Sequence, residues 1–125
     1  MAGMEKLKLL RNLRIAVTFF YMTYSQQLTH PNWQRKRNDI LNRDKYTCQA
    51  CGETQETLHV HHRYYKKNLM AWEYPDEALI TLCHRCHRLE GVAEQQFKEV
   101  VITLLSAGFF YAELLEQINI FKNGR

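Results

Sequence analysis

Two Cys-x-x-Cys pairs, Cys48/Cys51 and Cys83/Cys86, constrain this chain more than any other feature, and 31 residues separate them. Thiolates bind zinc tetrahedrally, and two such knuckles supply a full set of four ligands. Gly52 follows the first pair and permits the tight turn that brings two thiolates to one point. In an oxidised secreted domain four cysteines can instead pair as disulfides, in three ways. The histidines around the pairs favour the metal reading and a reducing compartment. The 31-residue gap exceeds usual zinc-ribbon spacing, so folded structure is expected between the knuckles. A closed four-cysteine site then contributes folding free energy directly.

Five of the six histidines fall between residues 59 and 87. His59, His61 and His62 belong to Leu58-His59-Val60-His61-His62, whose alternation reads as a strand. His84 and His87 lie in and beside the second knuckle. A shared metal clamp draws the second knuckle toward the first, which makes His61 and His87 candidates for one further ion. Adjacent strand residues point to opposite faces, so one imidazole can bind a metal while its neighbour acts as a base, if the strand bends. Phosphodiester hydrolysis needs that combination, a base for the water and a cation for the phosphate charge. The competing reading of the same residues is that some histidines replace cysteines in the clamp, or lie on the surface.

The remaining sequence reads mostly as helix, since Gly and Pro number only 5 and 2. A chain of 125 residues, 46% hydrophobic, can bury a core and suits a single domain over 1–125. Leu7, Leu10, Leu13, Val17, Phe20, Tyr21, Tyr24 and Leu28 recur at helical spacing, which predicts a helix over about residues 5 to 28 within an N-terminal segment 1–30. The β-branched and aromatic content of Ile15–Tyr24 leaves a strand open there. His30-Pro31-Asn32 breaks the pattern, and Trp33, Arg37, Ile40 and Leu41 predict a short helix before the first knuckle. Residues 63–77 read as an ordered loop, Leu79-Ile80-Thr81-Leu82 as a strand, and Cys83–His87 as the opening of a helix. From Val92 a helix runs to Ser106-Ala107-Gly108, and an amphipathic helix follows, making a hairpin over 92–122. Such a pair can be a DNA-reading helix-turn-helix, although a hairpin packing on the N-terminal helix is commoner.

Net charge is +4, and residues 1–40 hold seven Lys/Arg against two Asp/Glu. That end can face a polyanion such as nucleic acid, or be a solvated helix face. The apolar run Ile15–Tyr24 is about half the length a membrane span needs and lacks a small-residue cleavage site. The expectation is therefore a cytoplasmic chain with no membrane partner.

The stretch from residue 37 to residue 88 resembles the HNH endonuclease family. Three segments carry the resemblance, in order: Arg43-Asp44-Lys45-Tyr46-Thr47-Cys48-Gln49-Ala50-Cys51-Gly52, then Leu58-His59-Val60-His61-His62, then Leu79-Ile80-Thr81-Leu82-Cys83-His84-Arg85-Cys86-His87. The resemblance implies an α+β fold, with a ββα-metal finger over about 43–91 flanked by N-terminal and C-terminal helices. It implies His62 as the general base, and His61 and His87 as ligands of a catalytic Mg2+, Mn2+ or Zn2+. It gives Cys48, Cys51, Cys83 and Cys86 to a structural Zn2+, and DNA as the partner. Two positions depart from the family pattern. Ala78 stands where the family has the Asn that braces the finger and orients the base. Gly91 stands where many members have a further His or Asn, so His84 or Glu90 is a candidate to complete the shell.

Arg43, Arg63, Lys66 and Lys67 flank this region as candidate phosphate contacts. Tyr64, Tyr65, Trp72 and Tyr74 can stack on bases or simply pack the loop. A non-catalytic zinc-stabilised module that binds nucleic acid or protein is the rival to the nuclease. The terminal helices are candidates for a homo-oligomer or protein interface under either reading.

Overall fold

A computed structural model describes residues 2–20 and 22–124. It mixes helix and strand in an α+β arrangement. Among the described residues five α-helices accompany one two-stranded antiparallel sheet. The helices are α1 (Ala2–Phe20), α2 (Tyr24–Thr29), α3 (Pro31–Arg43), α4 (His84–Ser106) and α5 (Tyr111–Asn123). The strands are β1 (Leu58–His62) and β2 (Leu79–Cys83), and one 3-10 turn, Asp76–Ala78, leads into β2. The chain divides into two compact units, Met1–His84 and Arg85–Arg125.

The N-terminal helix expected over 5 to 28 is two helices. α1 ends at Phe20, and α2 begins after Thr23. The reason is a capping box: the Gln26 N–H donates to Thr23 Oγ1 at 3.3 Å, and the Thr23 N–H donates to Gln26 Oε1 at 2.8 Å. The helix over Ile15–Phe20 replaces the strand alternative. Tyr21 lies outside the described residues, as do the side chains of Leu13, Val17 and Phe20 on which the expected stripe partly rested.

A second cap starts α3, where His30 Nδ1 accepts the Asn32 N–H and Pro31 takes the first helical position. Lys45 and Tyr46 then turn left-handed, at φ 53° and 49°, and end that helix. This conformation is costly for residues with a Cβ, and the Tyr46 N–H bond to Leu41 O at 2.9 Å helps hold it. The turn delivers the chain directly into Cys48.

The first unit has its core between α3, the sheet and the 63–77 loop. Trp33, Ile40, Ala71, Tyr74, Ala78 and Leu79 form it, with Leu28, Val60 and Trp72 packed against it. Burying Ile40 and Leu79 stabilises by about 2 kcal/mol each. β1 and β2 pair in the register Leu58↔Cys83 to His62↔Leu79. Leu58, Val60 and His62 share one face, and His59 and His61 take the other. The 63–77 loop is ordered as expected, because the buried Tyr74 hydroxyl bonds both the N–H and the carbonyl of Lys66.

In the second unit, α4 and α5 bury no residue among those described. Phe97, Val100, Leu115 and Phe121 are among their exposed apolar side chains. Gly108, at φ 99°, ends the turn between the helices at the expected place. Among the described residues no helix is long and apolar enough to cross a membrane.

Candidate metal centre and histidine site

The thiols of Cys48, Cys51, Cys83 and Cys86 lie within 4.8 Å of one another, a group able to hold a metal ion. Local geometry explains the convergence. Gly52, at φ 82°, closes the first knuckle, and its N–H donates to Cys48 O at 2.8 Å. The Gln49 N–H donates to Thr81 O at 2.9 Å and ties this knuckle to β2. β2 ends at Cys83, and Cys86 follows in the first turn of α4. Burial alone would raise the Cys48 thiol. Backbone N–H groups of Cys83, Cys51 and Ala50, with the Cys51 thiol, outweigh it and bring the value down to about 6. A thiol held that low is a ready thiolate ligand.

His62 sits in an aromatic box. It is 2% exposed, stacked between Trp33 (centroids 5.0 Å, 20°) and Tyr65 (5.3 Å, 26°), with Tyr74 edge-on at 4.8 Å. Nε2 lies 2.9 Å from Ala71 O. A carbonyl oxygen only accepts, so Nε2 carries the proton and Nδ1 is the acceptor nitrogen. The Tyr24 hydroxyl, on α2, lies 3.4 Å from Nδ1 and 3.3 Å from the Tyr65 hydroxyl. Burial, then the Tyr65 bond, raises the Tyr24 phenol well above its usual value, so it stays neutral. Burial also lowers the His62 value, against the opposing Ala71 bond, and keeps the imidazole neutral near pH 7.

The other expected site residues are less enclosed. His61 is half-buried on the opposite face of β1, across from Ile80. His87 is half-buried in the first turn of α4, while His84 and Glu90 are exposed on that helix. The His84 ring lies 5.5 Å from that of His59. Among the described residues none of His61, His84, His87 and Glu90 joins a group of three or more metal-ligating side chains.

Arg43 is engaged within the fold. Its guanidinium donates to both Asp44 carboxylate oxygens at 2.7 and 2.9 Å, to Asp76 O at 2.6 Å and to Leu79 O at 2.8 Å. Asp44 in turn accepts the Thr81 N–H at 2.9 Å. These bonds bracket Ala78. Arg63, Lys66 and Lys67 are exposed, with Lys66 Nζ 5.6 Å above the Tyr64 ring.

The sequence reading missed Tyr24, Gln27 and Trp33 as neighbours of the histidine site. The Thr23-Tyr24-Ser25-Gln26 capping signature was the available signal for a separate α2. No sequence pattern announces that α2 lies over His62.

No family model matches this chain, and no solved structure matches it. A curated relative, Zorya protein ZorE of Escherichia coli, is 31% identical over 97 residues. The match takes in 70% of this chain but only 25% of that protein, so the chain spans about a quarter of the relative's length.

Proposed function

We propose that the chain is a metal-dependent endonuclease that hydrolyses DNA phosphodiester bonds at an HNH-type ββα-metal site. The observation that carries the reading is the neutral His62, held with Nε2–H on a backbone carbonyl and Nδ1 as acceptor. It belongs to a segment in which two strands and a helix follow in order, β1, β2 and α4, with the four thiols converging at the strand–helix junction.

The structural ion is zinc in this proposal. Four thiolates at about 2.3 Å around zinc stand about 3.8 Å apart. Cys51 Sγ and Cys83 Sγ, 3.7 Å apart, fit that edge. His61 and His87 are the residues that would hold the catalytic ion in this proposal, with water, phosphate, His84 or Glu90 completing the shell. A divalent ion bound there would supply charge neutralisation at the phosphate and at the departing oxygen.

His62 does the proton work. Nδ1 takes a proton from a water molecule, the resulting hydroxide attacks phosphorus, and the P–O bond to the leaving oxygen breaks. The Ala71 carbonyl stabilises the imidazolium that forms at Nε2–H. Water reaches Nδ1 by taking the place now held by the Tyr24 hydroxyl. Exposed Arg63, Lys66 and Lys67 are the phosphate contacts proposed from this side, whereas the Arg43 donors hold the finger itself.

The second reading, a non-catalytic zinc module, draws on Ala78, Gly91 and the 2% exposure of His62. Plasmid nicking by zinc-loaded protein, titrated with Mg2+ or Mn2+ at constant zinc content, separates the two. The nuclease reading expects nicking that rises with the added ion. Zinc at one equivalent without ion-stimulated nicking supports the second reading instead.

A further inference from the structure

We infer that Gln27, on α2 and outside the finger, is a positioning residue for His62. Its side chain stands at the head of a directed chain of hydrogen bonds. Gln27 Nε2–H donates to Met22 O at 3.3 Å, which fixes which end of the amide is which. Gln27 Oε1 accepts the Ala71 N–H at 2.8 Å. The Ala71 carbonyl accepts the His62 Nε2–H at 2.9 Å. Each group can play only one role. A backbone N–H donates and a carbonyl accepts, so donation runs one way, from His62 through Ala71 and Gln27 to Met22. Such chains polarise their members and strengthen one another.

Ala71 is 2% exposed, so water does not readily replace the amide oxygen at its N–H. Without Gln27 the buried N–H is left unsatisfied, a state that folded proteins avoid. The Ala71 peptide then turns to find a partner, and its carbonyl leaves Nε2. His62 loses the bond that puts its proton on Nε2, and Nδ1 no longer stays the acceptor. Gln27 thus sets the tautomer from a distance, touching neither the histidine nor any reacting atom. This supplies the orienting function that Ala78 cannot, from a helix the finger does not contain.

The kinetic part of this inference rests on the nuclease reading, and the spectroscopic part does not. Zinc-loaded wild type, Gln27→Met and Gln27→Glu are compared. Met keeps the length and removes both polar ends, while Glu keeps the acceptor oxygen. Imidazole 15N shifts report the His62 tautomer directly. The wild type is expected in the Nε2–H form, Gln27→Met in a mixture, and Gln27→Glu back in the Nε2–H form. The kcat for nicking should fall about tenfold in Gln27→Met with KM for DNA unchanged, a loss typical of supporting hydrogen bonds, and recover in part in Gln27→Glu. If Gln27→Met keeps the Nε2–H tautomer, or loses it without Gln27→Glu restoring it, the inference is overturned. A wild type that does not nick removes the nuclease reading, and the tautomer comparison still decides the role of Gln27. Should Gln27→Met fail to fold, the Nε2–H form in wild type and Gln27→Glu against its loss in Gln27→Ser decides it in the same way.

Discussion

Asp44 is buried, yet it carries a charge, and two neighbours make that tolerable. Burial alone would raise its carboxyl. The Arg43 guanidinium and the Thr81 N–H outweigh burial and hold the carboxyl below its usual 3.8. A lowered folded value means stability that is complete above about pH 4 and is lost as the pH falls through the folded value. Asp44→Asn should therefore lower stability by about 2 kcal/mol at pH 7, the partly exposed Arg43 screening the remainder. It should also flatten the acid limb of the stability curve below pH 4, read by urea unfolding across pH. Arg43 shows what single residues hide from a sequence. Its neighbour Asp44 was visible, but the carbonyls of Asp76 and Leu79 lie 33 and 36 residues further on. A positive residue beside a candidate site then reads equally as a phosphate contact. The cysteines were legible because chemistry fixes their spacing, and His62 was legible as a strand residue facing away from His61. Its enclosure by Trp33, Tyr65 and Tyr24 was not, since three separate segments converge on it.

Elements with strong local signals came through well. β1 falls on Leu58–His62 as the alternation required, and β2 on Leu79–Cys83, one residue longer than expected. The α4 stop at Ser106 and the Gly108 turn follow from one residue free to take positive φ. The α1/α2 break was missed because hydrophobic periodicity continues through it and outweighed the Thr23–Gln26 cap. Removing that cap with Thr23→Ala should destabilise the first unit by about 1 kcal/mol, measured by thermal melting. Tyr24 gives α2 a second consequence. Tyr24→Phe keeps the ring against His62 and removes the hydroxyl from Nδ1, so water gains that position. The expected outcome is a severalfold higher kcat with unchanged zinc content, measured by single-turnover nicking. A fall in kcat would contradict the placement of the water at Nδ1.

Across the whole molecule, buried contacts concentrate in the first unit. α3, the sheet and the 63–77 loop share a core, whereas α4 and α5 expose Phe97, Val100, Leu115 and Phe121. Apolar helices of this kind normally have a partner, so a homo-oligomer or protein contact through the terminal helices remains the proposal for them. Folding of the first unit should depend on the thiol cluster, because the core around Trp33 and Ile40 is small. Cys48→Ser should abolish stoichiometric metal binding and lower the melting temperature, checked by metal analysis beside calorimetry. In the proposed mechanism His62 is the base of a metal-dependent DNA hydrolysis. Its most direct test is the single-turnover nicking rate of His62→Gln against wild type, with zinc content and far-UV spectra matched. Loss of a general base should lower the rate about a hundredfold or more while DNA affinity is retained. Nicking at the wild-type rate in the folded, zinc-loaded variant would rule out His62 as the base.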